Sequence, residues 1–149
     1  MAIVNATGSF SLGRDTQVVL LHPLAPGGRI DIPNVTSVDV KPVYTQIKSK
    51  RLNGDVVEGA LPDGYTYTIS VDRAGPQLND LQVLFDAAWH LGGTIQNGTL
   101  FLYITEPSGG QSAYMLTDCS VMLSDLGAYQ PDQVVKQTIT GSANRMLKV

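Results

Sequence analysis

The chain has 149 residues, ten Lys and Arg against thirteen Asp and Glu, and a formal net charge of −3. That length supports one domain able to bury roughly 70% of the surface its unfolded form exposes, without help from a disulfide or a metal. A pI of about 5.1 argues against a surface built to grip nucleic-acid phosphates, and no apolar run approaches the roughly 20 residues of a membrane span. No membrane binding is therefore expected. The start, MAIVNATGSFSLGRD, lacks the basic opening and long apolar centre of a secretory signal.

In chain order, residues 1–15 are rich in Gly, Ser and Asn without periodicity, and are expected to form an N-terminal arm, flexible or engaged in an interface. TQVVLLHPL (16–24) is β-branched and apolar enough for a strand, stopped by Pro23, Pro26 and Gly27-Gly28. RIDIPNV is a short edge piece, because Pro33 cannot donate a ladder hydrogen bond. VTSVDVKPVYTQIKSK (35–50) predicts a long strand with Val43, Thr45 and Ile47 on one face and Tyr44, Gln46 and Lys48 on the other. YTYTISVDR (65–73) alternates again, setting Tyr65, Tyr67, Ile69 and Val71 against Thr66, Thr68, Ser70 and Asp72.

The period then changes. Leu78, Leu81, Phe85 and Ala88 recur at helical spacing, so one α-helix is predicted over about 76–91, with Trp89 on its apolar face and in the core. Pro76 suits the first turn, Asp80 the positive N-terminal end and Gly92 a left-handed stop. Asn97-Gly98 signals a tight hairpin inside TIQNGTLFLYITE. Two further strand regions, 111–127 and 133–149, close the chain. Seven or eight strands and one helix make a mainly β, single domain over 1–149: an antiparallel β-barrel or sandwich with the helix on its side.

The motifs of common chemistries are missing. His22 and His90 are isolated, without an HExxH or a Cys/His cluster at metal spacing. No serine lies in a GxSxG context and no glycine-rich phosphate loop exists. The lone Cys119 alternates within a strand and reads as a small buried hydrophobe. The chain is thus not expected to be an enzyme, and no catalytic residue, metal or cofactor is assigned.

KSKRLNGDVVEGALPDG (48–64) interrupts two strands that should pair antiparallel, as an extended hairpin loop. Its start is basic (Lys48, Lys50, Arg51) and the remainder acidic (Asp55, Glu58, Asp63). Three readings stand open: a solvated tip, a lid over a ligand pocket, or an arm that meets another copy of the chain. Opposite charges within one short segment favour head-to-tail contacts, which close into rings or propagate as stacks.

The long strand ending QIKSKRLNG, the acidic loop, YTYTISVDR, the helix, the hairpin and the terminal VVKQTITGSANRM together resemble the tail tube proteins of contractile-tailed bacteriophages. That fold is shared with the inner tube protein of type VI secretion. The resemblance covers about residues 36–148 and implies a β-barrel-like fold with a flanking helix, and six copies in a ring stacked into a hollow tube for DNA delivery. It implies that residues 48–64 reach the adjacent ring. It also implies a sheath outside, a tape-measure protein and then passing DNA inside, and a baseplate and a terminator at the ends. The setting would be a virion tail, assembled in host cytoplasm. Ring-forming terminator, initiator and baseplate components share the fold and remain alternatives.

A channel for DNA should not hold phosphate, so mild electronegativity at its wall suits the task. Asp39, Asp72 and Asp118 lie in strand-like segments and are candidates to face the lumen, ordinary solvent-facing positions being the alternative. A different class of function is a small-molecule-binding barrel using Tyr65, Tyr67, Phe101 and Tyr103.

Overall fold

A computed structural model describes residues 16–32 and 34–149; the expected arm of residues 1–15, and Pro33, lie outside them. Among the described residues nine strands and one α-helix follow in order: β1 (Thr16–Leu21), β2 (Arg29–Asp31), β3 (Val35–Lys50), β4 (Val56–Asp72), α1 (Gln77–His90), β5 (Gly98–Thr105), β6 (Gln111–Cys119), β7 (Met122–Asp125), β8 (Lys136–Ala143) and β9 (Arg145–Lys148). They form two antiparallel sheets, one ordered β2-β1-β5-β6-β9 and the other β3-β4-β8-β7. Neither closes on itself, so of the two expected architectures the sandwich is realised.

Alternation decides which side chains fill the sandwich. On the four-stranded sheet, Tyr67, Ile69 and Val71 of β4 stand in register with Gly141, Ile139 and Gln137 of β8, and all three β4 residues are buried. Leu20, Leu100 and Leu116 supply the opposing layer. Burying each such side chain contributes about 1.5–3 kcal/mol. Gly141 has a packing role: a Cβ there would collide with the Ser120 carbonyl and with the Tyr67 hydroxyl, which itself donates to that carbonyl at 2.7 Å.

The helix starts after Pro76 and ends at Leu91, with Gly92 at φ +80°, as its sequence implied. Leu78 and Leu81 enter the core, and Phe85 packs against it. Gln137, buried in β8, donates its amide to Asn79 Oδ1 (2.8 Å) and to the Leu126 carbonyl (3.2 Å), tying the helix to the sheet. Trp89 departs from expectation. It continues the apolar stripe, but the last helical turn carries it beyond the packed core and leaves it 64% exposed.

Two further expectations change. Asn97-Gly98 is no hairpin turn: residues 94–97 are irregular and Gly98 opens β5. A Cβ on Gly98 would stand 2.6 Å from the Leu21 carbonyl and 3.1 Å from His22 Cδ2, so this glycine serves close approach to β1. The segment 48–64 is mostly strand. Lys48 pairs with Glu58, Ser49 with Val57 and Lys50 with Val56, leaving only residues 51–55 as the turn.

Candidate assembly surfaces

The β3–β4 hairpin is longer than the sheet to which it belongs. β8 covers β4 only from Tyr65 to Asp72, so among the described residues Val56 through Gly64 has no partner strand except β3. At ~3.3 Å per residue that overhang is about 30 Å long. It departs at an irregularity between Pro42 and Tyr44; proline in a strand is tolerated at edges and bulges. One face of the overhang carries Ile47, Val57 and Leu61, which are 47%, 44% and 51% exposed, with no second sheet over them among the described residues. Two-stranded ribbons are marginal on their own, so an uncovered apolar face points to a partner.

All six candidate contact residues sit on this arm. Lys48 and Glu58 face each other at 3.8 Å across the strands, so charges segregated in sequence meet in space. Asp63 accepts a hydrogen bond from the Thr45 hydroxyl. Asp55 caps the turn: its carboxylate accepts from the Asn53 amide and its backbone N–H donates to Asn53 Oδ1, both at 3.0 Å. Lys50 and Arg51 make no ion pair among the described residues, which leaves the tip basic.

The outer face of the four-stranded sheet is a lattice of hydroxyls. Thr66, Thr68 and Ser70 of β4 stand in register with Ser142, Thr140 and Thr138 of β8. On the β3 side the same rows end in Lys41, Asp39 and Ser37. Asp39 and Asp72, two of the lumen candidates, both belong to this face. Each has a lysine beside it: Asp39 to Lys41 at 3.4 Å and Asp72 to Lys136 at 3.1 Å. These pairs cancel, leaving a polar and locally neutral wall. Asp118 is elsewhere, on the five-stranded sheet where the β5–β6 register slips, with φ +51°. The sheet's edge strand β3 is 16 residues long and among the described residues pairs only with β4, an open ladder of the kind that recruits another strand.

The four aromatic residues proposed for a ligand cavity do not converge. Tyr67 is core and Tyr65 packs beside it. Phe101 and Tyr103, stacked at 6.2 Å, alternate with the inward Leu100 and Leu102 and so face the other way. Cys119 is fully buried, its thiol pushed up to about 11 chiefly by that burial, as expected of a packing residue. His22 is buried just after β1. Its Nδ1 accepts from the Leu24 N–H (3.1 Å), which leaves Nε2–H to donate to the Gln96 carbonyl (3.2 Å). Burial holds the imidazole below its ordinary value, against a smaller opposite pull from the Gln96 bond. No group of three or more His, Cys, Asp or Glu suited to a metal occurs among the described residues.

No family model and no curated protein matches the sequence. Solved structures do match in fold. The tube-terminating cap of the anti-feeding prophage aligns over 97% of this chain and 94% of its own, with a TM-score of 0.62 at 12% identity. A chain of the sheath-tube complex of the PVC extracellular contractile injection system aligns over 89% and 88%, with a TM-score of 0.59 at 13% identity. The SPP1 tail tube aligns over 93% and 78%, with a TM-score of 0.56 at 12% identity. The chain has a phage-tail-tube-like fold. Its neighbours are structural parts of tails and injection machines, not enzymes.

Proposed function

We propose that the protein is a structural subunit of the inner tube of a phage-type tail. Copies pair laterally through the edges of the four-stranded sheet, and the rings, six-fold by family resemblance, stack through the β3–β4 arm. One observation carries this reading: the arm overhangs its own sandwich by about 30 Å and keeps an apolar face that nothing among the described residues covers. The long free edge of β3 supports lateral pairing.

The hydroxyl-rich face then lines the channel. Phosphate adheres where cationic groups stand free and release counterions on contact. Here Lys41 and Lys136 are each occupied by a carboxylate, so passing DNA meets small neutral hydroxyls and paired charges. Asp39 and Asp72 serve by neutralising those lysines, and Asp118 lies away from this wall. A sheath outside, a tape-measure protein inside before DNA, and a baseplate and terminator at the ends complete the proposed setting in a virion tail. Electron microscopy of the purified protein tests the reading: tubes of uniform width support it, single rings that do not stack assign a cap or terminator role, and monomers alone overturn it.

A further inference from the structure

An exposed apolar cluster away from the arm lies at the C-terminal end of α1. Trp89 is 64%, Leu91 87% and Ile95 81% exposed. Exposed aromatic and aliphatic groups gathered at one corner mark a contact site. Between them opens a pocket of about 170 Å³, lined by Phe85, Trp89, Ile95 and Val121 with His22 among its walls. Its base is rigid: His22 is held by two hydrogen bonds and packs against the Phe85 ring at 4.8 Å. A cavity of about 150 Å³ holds a benzene-sized group, so this one admits one large aliphatic side chain.

The arm presents such a group. Leu52, at the turn, is fully exposed in its own chain. The turn is pre-organised: Arg51 N–H donates to the Asp55 carbonyl at 2.7 Å, Gly54 N–H to the Arg51 carbonyl at 3.0 Å, and the Asn53 and Asp55 side chains lock it further. Little entropy is lost when a side chain on so fixed a loop is captured. Charge agrees as well. Lys50 and Arg51 directly precede Leu52, whereas α1 carries Asp86 one turn before its C-terminal end and has no Lys or Arg.

We infer that the pocket between Trp89 and Ile95 is the socket for the Leu52 tip of a second copy of this chain. Arg51 then lies against the C-terminal end of α1, where the helix dipole is negative, and can stack on the Trp89 ring. Knob and socket occupy different surfaces of one chain, so the contact is heterologous and propagates rather than closing on a pair. The inference rests on the stacking proposed above and names where the arm lands.

Cysteine cross-linking tests it. The native Cys119 is buried, and a disulfide demands Cβ atoms about 3.5–4.5 Å apart. Under mild oxidation, assembled L52C/I95C protein should give a ladder of covalent multimers on a non-reducing gel, and a mixture of L52C and I95C single variants should give a covalent dimer. As a second readout, Trp89, the chain's one tryptophan, should shift its emission to the blue when wild-type protein assembles, and L52D should raise the concentration needed for assembly at least tenfold. Tubes that form without cross-links, or an L52D variant that assembles and shifts like wild type, place the socket elsewhere and overturn the inference while leaving the tube reading intact. A protein that never assembles removes both.

Discussion

Replacing Ile47 and Leu61 of the arm by threonine separates a surface that folds the chain from one that joins chains. Both lie on the uncovered face of the overhang, with about half their surface in water in the single subunit: 47% and 51% exposed. Full burial of a large aliphatic side chain is worth about 1.5–3 kcal/mol; covering the exposed half therefore adds ~1 kcal/mol per residue, or ~2 kcal/mol for the pair in each contact. That corresponds to roughly 30-fold in the association constant. Threonine keeps the strand preference of the positions, and exposed substitutions change subunit stability by less than about 0.5 kcal/mol. In sedimentation velocity across a concentration series, I47T/L61T should need ten- to thirty-fold more protein to assemble, a range of about 1.4–2 kcal/mol. The melting temperature of dilute, unassembled protein should move by no more than about 2 °C. Unchanged assembly would refute the reasoning, and so would a large fall in melting temperature, because the face would then belong to the fold.

Reversing the basic cluster with K48E/K50E/R51E should likewise impair assembly while the subunit still folds; the exposed Lys48–Glu58 pair it breaks contributes at most ~1 kcal/mol, whereas like charges across an interface repel. Circular dichroism melts beside sedimentation resolve the two effects. G141A should destabilise the subunit by about 1–3 kcal/mol in urea unfolding, because the added methyl meets the Ser120 carbonyl and the Tyr67 hydroxyl. Acidification should weaken the fold through His22. Its folded-state imidazole takes a proton less readily than the ordinary value of 6.5, so the unfolded chain binds more protons below that pH. Its contribution is complete above about pH 6.5 and is lost as the pH falls. H22Q should therefore show a smaller drop in melting temperature between about pH 7.5 and pH 5 than wild type.

The sequence carried the sandwich well where one face of an element meets core and the other meets water. YTYTISV and QTITGSA alternate cleanly, and β4 and β8 bury one parity and expose hydroxyls on the other. The Thr/Ser wall was therefore legible once the register of two distant strands is known. The β3 half of the arm was legible, since the expected strand 35–50 coincides with Val35–Lys50, but the returning β4 half was not legible as strand. With both faces outside the core its alternation disappears, and Gly59, Pro62 and Gly64 weaken the local preference. What holds it is cross-strand pairing and, on the proposed reading, a neighbour. Trp89 and Asn97-Gly98 fail for another reason: tertiary placement overrides a correct local pattern. The helical stripe runs past the sheet on which it rests, and a turn-forming dipeptide is used for its missing side chain against β1. The socket at the helix end leaves no trace in periodicity, because it combines residues from four separate segments.

Cryo-electron microscopy of the purified, concentrated chain asks most directly whether its free edge and arm exist to meet other copies. The account predicts stacked rings with a central channel, walled by Thr66, Thr68, Thr138 and Thr140, and with each arm seated on the ring beyond. Particles that stay monomeric at every salt and protein concentration, with the overhang free in solvent, would contradict it.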